Sequence, residues 1–349
     1  MNEIELCLSE MQAFFQNGNT LSIAWRKEQL KKLKDGIRSY EKQILNALYE
    51  DLGKTDFEGF ASELGIVYTE LDEHLKHLDA WAAKQRVRSS LLSFPSKSYT
   101  IAQPLGIVLI MSPWNYPFQL TIVPLISAIA AGNCVILKPS RYSSHTALVI
   151  EEMLSKLFYS NHVATFQGGA EMNQELLKHR YDHIFFTGSP QVGKLVMESA
   201  ARHITPVTLE LGGKSPVIVA SDADIGLAAR RIIWGKCLNA GQTCVAPDYV
   251  LVDRKVYNAL LEQMKIAITA MFGSDPLHCS DLGNIINEKH FSRLIGLFEY
   301  GTLAWGGQID PKTRRIAPTI ITDPRLDSPL MQEEIFGPIL PLVAYDTFE

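Results

Sequence analysis

One cysteine of this chain lies in a setting that suits a nucleophile. Cys244 follows the turn-forming residues Asn-Ala-Gly-Gln-Thr and does not sit inside an apolar run. A thiol in a glycine turn can be exposed and close to backbone N–H groups, which lower its pKa and raise the fraction of thiolate. A lone cysteine, however, is more often buried and inert. The local sequence therefore leaves two interpretations of Cys244 open, a nucleophile and a structural thiol.

Three polar side chains stand where chemistry could use them. Glu210 ends an apolar segment before two glycines, where it is either a surface charge or a general base whose pKa is raised by partial burial. Asn115, in the proline-flanked turn "SPWNYP", could donate a hydrogen bond to a developing oxyanion or simply form the turn. Glu334, beside Phe336 in another rigid loop, could bind a ribose or lie on the surface.

A glycine-rich stretch raises the question of a nucleotide site. Residues 188–194, "GSPQVGK", have the spacing of the phosphate loop of nucleoside triphosphate hydrolases. That loop needs Ser or Thr after its lysine to hold Mg²⁺, and this chain has Leu195 there. A glycine turn that opens a helix still suits an anionic ligand. A P-loop hydrolase is therefore disfavoured, and a different nucleotide site stays open.

Alternating strands and helices must position these residues. Apolar runs such as "GIVLIM" (106–111) and "CVILK" (134–138) are predicted strands, and a helical pattern follows each. Continuous apolar strands separated by helices predict a parallel sheet covered on both faces, with ligands beyond the carboxyl ends of the strands. The pattern begins again after about residue 211, which predicts a second α/β domain. Residues 2 to about 87 are predicted to be helical, with Gly53 as a helix stop.

Composition excludes several classes of protein. The chain has 349 residues, 46% of them hydrophobic, and a net charge of −5, which is typical of a soluble globular protein and not of a nucleic-acid binder. Its five cysteines include no C-x-x-C pair, and His179 and His183 lack a third partner, so we expect neither a disulfide framework nor a metal site. No signal peptide and no uninterrupted membrane-spanning stretch is present, which predicts a cytoplasmic protein.

The motifs, taken in order, resemble the aldehyde dehydrogenase superfamily, most closely its class 3 branch. The resemblance extends from near residue 20 to the end of the chain and rests on "PWNYP", "ILKPS", "FFTGSPQVGK", "LELGGKSP", "NAGQTC" and "EEIFGP". It implies a helical N-terminal segment and a Rossmann-like cofactor domain within residues 1–211. It also implies a second α/β domain, which carries the catalytic thiol, within residues 212–349.

The resemblance implies a covalent mechanism of aldehyde oxidation. Cys244 would attack the aldehyde carbonyl, and Asn115 with the Cys244 N–H would stabilise the oxyanion. Glu210 would activate the water that hydrolyses the resulting thioester. Relatives that transfer the acyl group to coenzyme A or phosphate typically lack that carboxylate, so Glu210 favours a carboxylic acid as product.

The resemblance also implies a site for NAD or NADP. Glu334 would hold the nicotinamide ribose with Phe336 against the ring, and Lys138 would hold the adenosine ribose. Arg141 replaces a glutamate that is usual in the family, and an arginine suits the 2′-phosphate of NADP, so the prediction leans slightly towards NADP. The other cofactor-binding residues that the resemblance implies are Ser112, Trp114, Gly188, Ser189, Gly193 and Leu211.

The sequence ends at Glu349, earlier than is usual in the family. The C-terminal segment of family members lines the substrate entrance and supplies the arm that pairs subunits. We therefore expect an incomplete second domain in this chain and a homodimer for a complete one, with a small-molecule aldehyde as substrate. An inactive or truncated relative that retains cofactor binding is the main alternative, and a P-loop hydrolase is a more remote one.

Overall fold

The N-terminal part of the chain is helical, as predicted. The computed structural model describes residues 2–347, so residues 348 and 349 of the predicted second domain lie outside the described residues. Asn2 and Glu5 form a reciprocal capping box at the first helix, with hydrogen bonds of 2.8 and 2.9 Å. The helices are α1 (Glu3–Gln16), α2 (Ile23–Leu52), α3 (Asp56–Gly59) and α4 (Gly65–Ala82), with a π-helical turn at Phe60–Leu64.

The predicted stop at Gly53 is confirmed, whereas the predicted end of the helical region is not. Gly53 directly follows α2 and has a φ of +68°, a backbone conformation that glycine adopts without strain. Beyond α4 the chain forms an antiparallel hairpin of β1 (Gln85–Val87) and β2 (Ser98–Thr100). All three residues of its first strand, "QRV", are exposed.

The described residues divide into two compact units. The first combines the chain up to Ala47 with Phe60–Glu210, and the second combines Leu48–Gly59 with the chain from Leu211 onward. The short segment Leu48–Gly59 was not singled out by its sequence. It belongs with the second unit because Asn284 N donates to Leu52 O at 2.7 Å and Asn239 N donates to Glu58 Oε1 at 2.6 Å.

The first unit contains a parallel sheet in the order β5-β4-β3-β6-β7. Its central strands are fully buried apolar runs, and Leu109 of β3 pairs in parallel with Ile136 on one side and Ile184 on the other. The chain order reverses between β3 and β6, which creates a topological switch point. The elements are β3 (Ile107–Met111), α5 (Gln119–Ala131), β4 (Cys134–Lys138), α6 (Ser144–Leu157), β5 (Val163–Thr165), α7 (Ala170–Leu176), β6 (His183–Gly188), α8 (Pro190–Ala201) and β7 (Val207–Leu211).

The second unit contains a mixed sheet in the order β10-β13-β14-β9-β8. Its strands run parallel except for β10, which pairs antiparallel with β13 at the edge. The elements are β8 (Pro216–Val219), α9 (Ile225–Cys237), β9 (Tyr249–Asp253), α10 (Tyr257–Phe272), α11 (Glu288–Gly296), β10 (Thr302–Trp305), β11 (Ile309–Asp310), β12 (Arg315–Ile316), β13 (Thr319–Thr322), α12 (Pro329–Gln332) and β14 (Ile339–Tyr345). The predicted α/β fold with a Rossmann-like parallel sheet and a helical start is thus confirmed.

Candidate active site

Two cations meet at the carboxyl end of β4. Lys138, the last residue of the strand, is only 4% exposed, and its ammonium donates to Pro139 O at 2.9 Å. Burial and, secondly, the nearby Arg141 guanidinium lower the pKa of Lys138 to about 8. Arg141 is exposed and lies against Gly169, where a Cβ would approach Arg141 Nη1 to 2.7 Å. Both predicted adenosine-site residues therefore lie together, with charge available for an anionic group.

The loop after β3 is braced where the predicted oxyanion donor lies. Asn115 is buried, at 3% exposure. Ser112 on one side of it shares a 2.6 Å hydrogen bond with Thr121, whose hydroxyl also donates to Pro117 O at 2.6 Å. On the other side, the carboxylate of Glu63 in the π-helical turn accepts from Phe118 N at 2.8 Å and Gln119 N at 3.0 Å, which caps α5.

The glycine turn after β6 leads into the N-terminus of α8. Ser189 is the N-cap residue, and its hydroxyl accepts from Val192 N at 3.4 Å. Gly188 has no room for a side chain, because a Cβ would lie 2.6 Å from the Phe186 ring. Gly193 is buried within α8. Because the β3 and β6 loops flank the switch point, Ser112, Trp114, Gly188 and Ser189 stand where such sheets bind their ligands.

Glu210 is more exposed than a half-buried general base would be. It and Leu211 are the exposed last two residues of β7, the edge strand of the first sheet. Glu210 thus has an exposed position, since the carboxyl end of an edge strand has a sheet neighbour on one side only, and its role as a general base stays a prediction.

The turn before Cys244 is rigid, although its sequence is small and polar. Asn239 and Ala240 have φ values of +53° and +51°, which are unusual for residues other than glycine. The buried amide of Gln242 offsets that strain by donating to Asn239 O at 3.1 Å and Asn284 O at 3.0 Å. Its oxygen also accepts from Ile286 N at 3.0 Å. Cys244 thus follows a fixed turn, and its side chain is partly exposed.

Burial separates Cys244 from most of the other cysteines. Burial raises the pKa of the Cys7 thiol to about 11 and the pKa values of Cys134 and Cys237 to about 12. Such thiols carry almost no thiolate near neutral pH. Among the described residues, Cys244 and Cys279 are the two cysteines with partial exposure. Cys279 follows a short helical turn, Pro276–His278, and its carbonyl accepts from Arg315 Nη1 at 3.2 Å.

The second unit brings the Cys244 turn and the Glu334 loop together. We call residues 333–337 the Glu334 segment. Gly241 packs backbone to backbone on Gly337, and a Cβ at Gly241 would overlap the Gly337 carbonyl. The Glu334 carboxylate lies over Gly212 and accepts from Gly213 N at 3.2 Å. Cys244, Glu334 and Phe336 therefore stand on contacting segments.

Glu334 has a perturbed acidity. Burial raises its pKa to about 7, and the negative charge of Asp248 acts in the same direction. The Gly213 N–H, Lys236 and Arg293 oppose that shift by stabilising the carboxylate. A carboxyl group poised near neutrality within a braced loop is typical of a functional position.

Several supporting residues escaped the sequence analysis. Lys214, Asp248 and Arg293 hold the Glu334 segment through hydrogen bonds to its backbone, and Gln242 and Glu63 brace the two other loops. Lys214 lies inside the motif "LELGGKSP" and Gln242 inside "NAGQTC", so their places in family motifs were the available signal. The other three, Asp248, Arg293 and Glu63, lie at ordinary polar positions whose roles depend on distant partners.

Neither a metal-binding cluster nor a membrane-spanning helix is found in residues 2–347. No group of three or more His, Cys, Asp or Glu side chains is arranged to hold a metal ion. In the same range, no helix has the length and apolar character needed to cross a membrane.

Comparisons with known proteins agree with the class that this fold and site define. The model of the aldehyde dehydrogenase family matches residues 1–349. A family 3 aldehyde dehydrogenase of Dictyostelium discoideum is 46% identical over 97% of this chain and 72% of its own length. The "Aldehyde dehydrogenase, dimeric NADP-preferring" of Rattus norvegicus is 44% identical over 100% of this chain and 77% of its own.

A solved structure resembles the whole described fold. The "Substrate bound state of Staphylococcus Aureus AldH" has a TM-score of 0.97 and 45% identity, and the match covers 99% of this chain and 76% of that one. The chain therefore belongs to the aldehyde dehydrogenase family. Its similarity to family 3 members over nearly its whole length identifies it as an aldehyde dehydrogenase enzyme.

Proposed function

We propose that this chain oxidises an aldehyde to a carboxylic acid with NAD or NADP, using Cys244 as its nucleophile. The observation that carries the proposal is the Cys244 turn, which is braced by Gln242, partly exposed and packed on the Glu334 segment. The raised pKa values of Cys7, Cys134 and Cys237 support the choice of Cys244 over those thiols.

The proposed chemistry begins at the sulfur. The Cys244 thiolate forms a bond to the aldehyde carbon, and the carbonyl oxygen becomes an oxyanion that accepts hydrogen bonds from Asn115 and the Cys244 N–H. A bound nicotinamide would supply the hydride acceptor. Loss of a hydride from the former aldehyde carbon then converts the adduct on Cys244 to a thioester. Glu210 then accepts a proton from water as that water attacks the thioester. The carbon–sulfur bond breaks, the acid leaves and Cys244 returns to the thiolate.

The residues of each unit fit parts of a dinucleotide. In the first unit, the N-terminus of the twelve-residue helix α8 follows β6 at the switch point, which suits a pyrophosphate. Lys138 and Arg141 would hold the adenosine ribose and its substituents. In the second unit, Glu334 would accept hydrogen bonds from the nicotinamide ribose, and Phe336 would lie against the ring.

A preference for NADP is the finer part of the proposal. Lys138 is buried close to the positive charge of Arg141, so a 2′-phosphate beside both side chains would offset their mutual repulsion. The name of the rat relative, "dimeric NADP-preferring", supports the same choice and supports a homodimer. The composition and the cysteine pattern support a cytoplasmic location.

The proposal is tested by comparing Cys244→Ala with Cys279→Ala, the other partly exposed cysteine. We expect Cys244→Ala to abolish NAD(P)H formation from an aldehyde while its cofactor Kd stays within about twofold of the parent, because only the covalent step is removed. Cys279→Ala should retain turnover. Continued aldehyde oxidation by Cys244→Ala would overturn the assignment, and a parent that binds cofactor without turnover would favour the inactive relative.

A further inference from the structure

Three charged side chains hold the backbone of the Glu334 segment from outside it. The Lys214 ammonium donates to Glu333 O at 2.8 Å and to Leu330 O, just before the segment, at 2.9 Å. Asp248 Oδ1 accepts from Ile335 N at 3.0 Å, and Arg293 Nη2 donates to Ile335 O at 2.6 Å. The residues on both sides of Glu334 are thereby fixed, and Ile335 is held at both its N–H and its C=O.

Two of the holding groups are linked to each other, and one of the two is buried. Lys214 forms an ion pair with Asp248, which is only 3% exposed. A buried carboxylate is costly unless it is paired and hydrogen-bonded, and Asp248 meets that need with Lys214 on one oxygen and Ile335 on the other. The pair connects the β7–β8 loop, the start of β9 and the Glu334 segment, so a shift in any one of these parts would break a buried charged contact.

The backbone that they hold is strained. Phe336 has a φ of +53°, a left-handed conformation that is disfavoured for a bulky residue. Such a conformation persists only where the surroundings over-determine it. The contacts of Ile335 on one side and the close packing of Gly337 on Gly241 on the other provide that constraint. The strain directs two neighbouring side chains, Glu334 and Phe336, in a way that a relaxed extended segment would not.

Lys236 adds positive charge to the same cluster. It is 2% exposed at the end of α9, and its ammonium has no hydrogen-bond partner among the described residues. Burial lowers the pKa of Lys236 to about 8, while Asp248 and Glu334 raise it. Lys236 and Asp248 both shift the pKa of Glu334. The charge of Glu334 therefore depends on the contacts that keep the Glu334 segment in place.

We propose that Lys214, Asp248 and Arg293 are positioning residues, which hold Glu334 and Phe336 in the orientation that binds the nicotinamide end of the cofactor. None of the three needs to touch the cofactor. The inference rests on the proposed cofactor role of Glu334, and it predicts that loss of a holding group acts on one end of the dinucleotide only. A displacement of about 1 Å at a binding group is enough to change binding and rate strongly.

The first test needs no cofactor. Hydrogen exchange of the cofactor-free protein is compared for the parent, Lys214→Met, Lys214→Arg and the control Lys265→Met, which removes a surface lysine paired with Glu262 on α10. We expect faster exchange in peptides covering residues 329–338 for Lys214→Met, partial recovery for Lys214→Arg and no change for the control. Unchanged exchange in Lys214→Met overturns the proposal. Loss of protection throughout the second unit in both Lys214→Met and the milder Arg293→Lys also overturns it, because the residues are then general stabilisers.

The second test separates the two ends of the cofactor. For Lys214→Met we expect the Kd of NADP to rise about tenfold or more, while the Kd of 2′,5′-ADP, which has no nicotinamide, stays at the parent value. Equal weakening of both ligands, or of neither, overturns the positioning role. A parent that does not bind NADP, or a Glu334→Gln variant that binds it normally, instead counts against the proposed function, and the exchange result then stands by itself.

Discussion

Replacing Arg141 with glutamate should move the cofactor preference from NADP towards NAD. In the parent, the guanidinium lies beside Gly169 and close to the buried ammonium of Lys138 at the carboxyl end of β4. Both cations can donate to a 2′-phosphate, whereas neither can accept from the ribose hydroxyls of NAD. A glutamate at this position would repel the phosphate and accept from those hydroxyls.

The size of the change follows from the exposure of the two cations. A hydrogen bond to a charged group contributes about 1.5–3 kcal/mol, and about 1.4 kcal/mol corresponds to a tenfold change in Kd. Arg141 is exposed, so its contribution belongs at the lower end, which gives the parent a preference for NADP of about tenfold. Arg141→Glu removes the preference of about tenfold for NADP, because the glutamate repels the 2′-phosphate. The new acceptor favours NAD by a similar factor, so the ratio of the two Kd values should change by about a hundredfold.

The assay is a pair of cofactor titrations by calorimetry for each variant. Arg180→Glu makes the same charge change on an exposed arginine of the first unit that precedes β6, at the opposite end of the parallel strands, and should leave the ratio unchanged. Equal affinities for NAD and NADP in the parent, unaltered by Arg141→Glu, would refute the reasoning. The same change of the Kd ratio in Arg180→Glu would show that the Arg141→Glu result is a general effect of net charge.

Two further changes test the catalytic and acidic groups. Glu210→Gln should give a burst of NAD(P)H in rapid mixing followed by little steady-state turnover, since the thioester forms but water is not activated. A normal steady state in this variant would refute the general-base role of Glu210. The affinity for NAD should fall as the pH falls through about 7, because the raised pKa of Glu334 means that its carboxyl is protonated below that value and loses acceptor capacity. Glu334→Gln should remove this pH dependence, and its survival in that variant would assign the titration to another group.

The strands were the most predictable part of the fold. The segment "CVILK" coincides with β4 and "GIVLIM" contains β3, because a strand buried in a parallel sheet is a short continuous apolar run bounded by polar turns. The ends of the covering helices were less predictable, because they depend on caps such as Ser189. The place of Leu48–Gly59 in the second unit was not predictable, since it depends on partners such as Asn239 and Asn284 far along the chain.

The proposed site residues were easier to single out in the sequence than the residues that brace them. Cys244, Asn115 and Glu334 lie in unusual local sequences, which can be recognised without knowledge of the fold. Asp248 is a single aspartate before a strand, and its partners Lys214 and Ile335 lie 34 and 87 residues away. Its role exists only when the chain is folded, and no periodicity or turn signal indicates it.

Arg293 shows why the position and the charge of Glu334 cannot be treated separately. Its guanidinium donates to Ile335 O, which fixes the backbone next to Glu334, and its positive charge lowers the pKa that burial raises. Asp248 holds the same residue by its N–H but acts on the acidity of Glu334 in the opposite direction. Loss of Arg293 should therefore displace the carboxylate and protonate it over a wider pH range, whereas loss of the Asp248 charge should displace it and keep it ionised. The two positioning residues are thus distinguishable by the pH dependence of cofactor affinity, although both hold one peptide unit.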